Sequence, residues 1–133
     1  MVDLLRLTTH GGQRYRVLLV EDNAILSELT AEILQDLNCE VSIVNNGKSA
    51  IEAATTNDWD IILMDIIMPG MNGIEATRII RKQTRLQQLP IVGLTGADDV
   101  LSHCLDAGMV EVLIKPVGEV ELEHCLRRWR KHQ

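Results

Sequence analysis

Five side chains of this chain could do chemistry together if a fold brought them to one place: Glu21, Asp22, Asp65, Thr95 and Lys115. Each comes at the end of a short apolar run. Three carboxylates held close repel one another, and without a cation at least one would tend to take up a proton at neutral pH. A hard divalent ion resolves the conflict, since Mg²⁺ binds through one or two carboxylates, keeps several waters and takes phosphate oxygens into its shell. An ammonium and a hydroxyl beside it complete a receptacle for a group with three anionic oxygens. That assembly suits phosphoryl transfer onto a carboxylate, where nucleophile and target are both anionic and the site must neutralise and align them. Asp65 would be the nucleophile and an acyl phosphate the product. Glu21 and Asp22 would hold the metal, with Lys115 and Thr95 on the phosphoryl oxygens.

The elements that must position these groups are organised around residues 60–73, DIILMDIIMPGMNG. Ile61 to Met64 has no helical period, the pattern of a strand buried on both faces. Asp65 follows directly, and Pro69, Gly70, Asn72 and Gly73 then punctuate a turn. Further strands are expected over 17–20, 41–44, 91–94 and 112–114, the second at an edge because Ser42 interrupts it. Asn23 is placed to cap a first helix with the apolar stripe Leu26, Leu29, Ile33, Leu34 and Leu37. A short helix over 47–56 and another over 73–85 follow. Asp98 or Asp99 would cap a fourth, with Leu101, Cys104, Leu105 and Gly108 on one face. The last begins with Glu119, Glu121 and Glu123 and ends in Arg127, Arg128, Arg130 and Lys131, a charge order that favours its dipole.

Strands alternating with helices through short loops predict a parallel sheet covered on both faces, with right-handed crossovers. In the flavodoxin-like order 2-1-3-4-5 the first and third strands are neighbours, and ligands bind at the carboxyl ends of the strands. Lys115 is then two strands from Asp65, roughly 10 Å at sheet spacing, within reach of a long side chain.

The totals narrow the class. At 133 residues, 46% hydrophobic and 24% charged, the chain is one globular domain. No apolar run nears the ~20 residues of a membrane span, and MVDLLRLTTHGG is no secretory signal, so a cytoplasmic address is expected. Residues 1–15 read as a tether or linker, 16–131 as the folded domain and 132–133 as a tail. A net charge of -6 disfavours nucleic acid as a direct partner, and the basic RRWRKH stretch reads as a solvated helix end. Cys39, Cys104 and Cys125 lack zinc or disulfide spacing and read as buried reduced thiols. With no Phe, the core must be aliphatic. NNGKSA at 45–50 fails as a nucleotide-binding P-loop, because Ser42 stands where its first glycine is required. The four histidines are scattered.

VLLVEDN at 17–23, ILMDIIMPGMNG at 62–73, GLTG at 93–96 and IKP at 114–116 together resemble the receiver domain of two-component response regulators over about 15–129. The resemblance implies phosphorylation of Asp65 by a phosphohistidine donor, from a histidine kinase or a histidine phosphotransfer domain. It implies Mg²⁺ held by Asp22, Asp65 and the backbone carbonyl of Ile67, with Glu21 acting through water, and a cis bond before Pro116. The domain would be a self-catalysing phosphoacceptor rather than a turnover enzyme.

The chain departs from the family pattern in two ways. Val112 stands where an aromatic side chain often reports the phosphorylated state, so output must use other means. Ile67 and Ala97 border the route of the hydrolytic water and offer it no hydrogen bond, which predicts a persistent phosphoryl group. A receiver from a hybrid sensor histidine kinase is the expected context. The alternatives are a free-standing regulator, a phosphorylation-independent docking module of the same fold, and a small nucleotide-binding protein, the last disfavoured by the failed P-loop.

Overall fold

The computed structural model describes residues 14–96 and 100–130. The elements run β1 (Tyr15–Val20), α1 (Ala24–Asp36), β2 (Cys39–Val44), α2 (Gly47–Thr56), β3 (Ile61–Asp65), α3 (Gly73–Arg81), β4 (Ile91–Thr95), α4 (Leu101–Ala107), β5 (Glu111–Ile114) and α5 (Glu119–Trp129), with one 3-10 turn at Thr84–Leu86. All strand pairs are parallel, in the order β2-β1-β3-β4-β5. This is the expected flavodoxin-like sheet, with β2 at one edge.

Every residue of β3 is buried, because helices cover both faces of the sheet and leave a central strand no solvent side. On one face Leu19, Leu63 and Leu94 meet Leu34 of α1 and Leu122 and Leu126 of α5. On the other, Leu18, Ile62 and Met64 meet Ala50 of α2, Ile80 of α3 and Cys104 of α4. Each large aliphatic side chain removed from water contributes roughly 1.5–3 kcal/mol. Asparagines start three of the helices: Asn23, Asn46 and Asn72 accept from the backbone N–H groups of Leu26, Ser49 and Glu75 at 3.0, 2.8 and 2.9 Å. Each satisfies an amide that the first helical turn leaves without a carbonyl.

The structure corrects two apolar stripes. In α1 the sheet-facing residues are Ser27, Ala31 and Leu34, whereas Leu26 and Leu29 are 39% and 54% exposed. Small residues let the helix approach the sheet, and the leucines turn to one side. In α4, Cys104 and Ala107 are buried while Leu101 and Leu105 are each 46% exposed; two turns of helix bury only a narrow strip. Boundaries shift as well. α3 stops at Arg81 instead of 85, β2 begins at Cys39, and β1 takes in the buried Tyr15. All three cysteines are buried and free. The expected tether up to residue 13, the Asp98 or Asp99 cap, Ala97 and residues 131–133 lie outside the described residues. Among the described residues, no helix is long and apolar enough to cross a membrane.

Candidate functional site

β1 and β3 are paired with Val17 opposite Ile61 and Val20 opposite Met64, so the residues that follow, Glu21 and Asp65, emerge side by side at the carboxyl edge of the sheet. β4 ends beside them at Thr95, and Lys115 N–H donates to the Thr95 carbonyl at 2.7 Å. The five groups singled out by type and spacing thus meet at one edge. Glu21, Asp65 and Thr95 are buried, and Asp22 is exposed. One carboxylate oxygen from each of Glu21, Asp22 and Asp65 lies within 4.8 Å of the others.

The loop that carries Asp65 has two glycines for separate reasons. Gly70 has φ +76°, a left-handed conformation that L side chains resist. Gly73 packs so tightly that a Cβ would collide with the Asp65 carbonyl oxygen and approach Met64 Cγ to 2.9 Å. A capping box closes the turn, since Asn72 Oδ1 accepts from Glu75 N–H and the Glu75 carboxylate accepts from Asn72 N–H. The turn residues therefore press α3 against the end of β3 and fix where Asp65 points.

Lys115 reaches across the sheet edge. Its Nζ donates to Asp65 Oδ1 at 3.0 Å and to Glu21 Oε2 at 2.9 Å. The other Glu21 oxygen accepts from Asn23 N–H at 3.2 Å. One ammonium is thus shared by two buried carboxylates and leaves the pair with net negative charge. Burial pushes the Asp65 carboxyl well above the ordinary carboxylate range; the Lys115 hydrogen bond opposes this shift, and Glu21 adds to it. Burial works against the Lys115 ammonium too, but its two acidic partners outweigh it and raise its pKa. The donor set, acidic oxygens in excess of the available cation, fits a hard divalent ion such as Mg²⁺.

The contact between Lys115 and Glu21 was not anticipated from sequence, where Lys115 faced Asp65 and the phosphoryl group and Glu21 faced the metal. An excess of acids over bases at the strand ends was the available signal. Ile67, in the loop after β3, has its side chain 71% exposed. Val112 is half-buried against the α2, α3 and α4 side of the core. The peptide bond before Pro116 is cis. A further feature went unread: Ile25, 72% exposed, joins Leu26 and Leu29 on the open side of α1. Beside them lies a cleft of about 660 Å³ lined by Leu26, Leu29 and Ile33 across from Pro116, Val117 and Leu122. Glu21 and Lys115 also line it.

Residues 17–127 match the response regulator receiver domain family. The chain is 36% identical over 120 residues to transcription factor SKN7 of Saccharomyces cerevisiae, covering 88% of this chain and 19% of that protein. It is 34% identical over 132 residues to the signal transduction histidine-protein kinase BarA of Escherichia coli K12, covering 96% of this chain and 14% of that one. The chain thus spans less than a fifth of the length of these curated relatives. Among solved structures, the receiver domain of sensor histidine kinase PA1611 from Pseudomonas aeruginosa PAO1 superposes with a TM-score of 0.81 at 37% identity, over 86% of this chain and 96% of that one. That receiver was crystallised with a magnesium ion coordinated in its active site cleft.

Proposed function

This chain belongs to the response regulator receiver domain family, and we propose that it takes a phosphoryl group from phosphohistidine onto Asp65. The observation that carries the reading is the shared ammonium: Lys115 Nζ stands 3.0 Å from Asp65 Oδ1 beside a carboxylate cluster with room for a cation. An Asp65 oxygen attacks phosphorus, the P–N bond to the donor imidazole breaks, and the imidazole leaves with that bonding pair and takes a proton from solvent. Anchored at Glu21, Lys115 turns from Asp65 to the phosphoryl oxygens without crossing open solvent. Thr95, at the end of the strand between, offers its hydroxyl to the same oxygens. Mg²⁺, held by Asp22, Asp65 and the Ile67 carbonyl with Glu21 acting through water, would neutralise the phosphoryl charge during transfer.

The donor is a histidine kinase or a histidine phosphotransfer domain, and it docks on the open side of α1. Ile25, Leu26 and Leu29 are exposed there, next to the cleft that Glu21 and Lys115 help to line. Exposed apolar side chains grouped beside a reactive site are what a partner helix can cover. The receiver unit takes in β1 from Tyr15 and runs to 131, with the residues up to 13 as tether and 132–133 as tail, and a hybrid sensor kinase on the cytoplasmic side of the membrane is the parent context. Relatives several times longer than this chain support that context. A free-standing regulator is the alternative.

Incubation with Mg²⁺ and acetyl phosphate tests the acceptor. The reading requires a covalent label that is stable in acid, labile in base and lost in Asp65→Asn. Absence of label would favour a docking module that keeps the fold without the chemistry.

A further inference from the structure

One row of side chains crossing the sheet just below the site has a gap. Val20, Met64, Gly93 and Val112 are in register on β1, β3, β4 and β5, and Gly93 contributes no side chain. The space is filled from outside the row. A Cβ at Gly93 would stand 2.7 Å from the Met109 sulfur and 3.1 Å from Ile66 Cδ1, and both of those residues are buried.

These two side chains belong to different machinery. Ile66 is bonded to Asp65, and its backbone is pinned by N–H donation to Leu94 O at 3.0 Å and by acceptance from Gly73 N–H at 2.9 Å. Met109 follows Gly108, the left-handed cap of α4. The Gly108 carbonyl accepts from Arg81 Nε and Nη2 at 3.0 and 2.8 Å, while Arg81 Nη1 donates to Leu86 O at 2.7 Å. Ile66, from the Asp65 loop, and Met109, beside the α4 cap that Arg81 ties to the end of α3, thus close on the same point over Gly93 within one core cluster.

We propose that Ile66 and Met109, meeting over Gly93, couple the state of Asp65 to the turn between α4 and β5. The proposal rests on the reading of Asp65 as phosphoryl acceptor. Close-packed interiors pass on small displacements by switching between discrete packings, and an unbranched thioether has the rotamers to do so. Val112, the neighbour in the row, is β-branched and stiff at χ1. When Lys115 leaves Asp65 for a phosphoryl oxygen, the β3–α3 loop shifts, and Ile66 Cδ1 and the Met109 sulfur repack in the space over Gly93. Coupling requires that the two states differ in that packing.

The test is NMR of the full chain labelled at its methionine methyls, without metal, with Mg²⁺, and with Mg²⁺ plus beryllofluoride. Fluorine spectra of the same samples report whether the phosphoryl mimic is bound, and Met109→Leu assigns the resonance. The Met109 methyl is expected to move on beryllofluoride binding. In Ile66→Val, which lacks the Cδ1 that comes nearest the gap, most of that movement is lost while the bound fluorine signal stays. Gly93→Ala should displace the resonance before any ligand is added. Bound fluorine with a static Met109 methyl, or movement undiminished in Ile66→Val, would overturn the coupling alone. No bound fluorine signal at all would overturn the acceptor reading and the coupling with it.

Discussion

Lys115 Nζ lies 2.9 Å from Glu21 Oε2, an ion pair that ties the loop after β5 to the residue after β1. The same ammonium reaches Asp65 Oδ1 at 3.0 Å. On the proposed reading, a phosphoryl group arriving on Asp65 would meet a cation that is already placed and need only exchange one of its two partners. Preplacement of this kind lowers the reorganisation that transfer would otherwise require.

Replacing Lys115 by Met should separate metal binding from chemistry. Removing a positive charge from beside the acidic cluster should strengthen Mg²⁺ binding, on the order of tenfold. Phosphoryl acceptance should fall by a similar or larger factor, because no ammonium is left to meet the phosphoryl oxygens. Calorimetric Mg²⁺ titration alongside acetyl phosphate labelling checks both. Weaker Mg²⁺ binding in the variant would mean that Lys115 supports the metal site instead of competing with it.

The two loop glycines predict different costs. Gly73→Ala drives a methyl into the Asp65 carbonyl and should destabilise the domain by about 3 kcal/mol. It should also impair labelling, because the backbone of Asp65 must move. Gly70→Ala meets nothing within 4 Å and carries only the strain of φ +76°, about 1 kcal/mol. Urea unfolding of the two variants distinguishes steric contact from backbone strain, and equal losses would contradict the packing described.

The thiols set an alkaline limit on stability. Burial pushes Cys39 and Cys125 from 9.0 up to about 12, with Glu111 adding to the shift at Cys125. A group whose folded pKa is raised gives stability that is complete below its unfolded pKa and is lost as pH rises through the folded value. Stability from these residues should therefore hold to about pH 9 and decline between 9 and 12. Thermal melts from pH 8 to 11 measure this, and thiol reagents at pH 8 should react slowly until urea unfolds the chain.

On the proposed reading, Ile67 would bear on phosphoryl lifetime. Its side chain is 71% exposed in the loop that follows Asp65, and being apolar it holds no attacking water. Ile67→Asn supplies a hydrogen-bonding group there and should shorten the life of the aspartyl phosphate several-fold, read as loss of label after donor removal. An unchanged decay would exclude this position from the hydrolytic route.

Much of the fold and the meeting of the site groups could be read from residue order, because apolar runs ending in Asp65, Thr95 and Lys115 mark strand ends whatever the packing. The helices were harder. In α1, Leu26 and Leu29 keep helical spacing with Ile33, yet Ser27 and Ala31 face the sheet, since close approach favours small residues over hydrophobic ones. Spacing reports that a helix has an apolar side and not which side is covered. The pairing of Lys115 with Glu21 was hidden for another reason: it depends on a side chain leaning across several strands, and spacing along the chain carries no information on that direction. The fork of Arg81 on Gly108 is likewise tertiary, its donor and acceptor standing 27 positions apart in the chain.

The most direct test uses a histidine-phosphorylated donor domain carrying radiolabelled phosphoryl groups, mixed with this chain in Mg²⁺ or in chelator. Label should move to the chain only with Mg²⁺, reside on Asp65, and fail to move to Asp65→Asn, with the fold of the variant checked by circular dichroism. Transfer that survives in Asp65→Asn, or no transfer to the wild-type chain from any phosphohistidine donor that readily labels another receiver, would contradict the account.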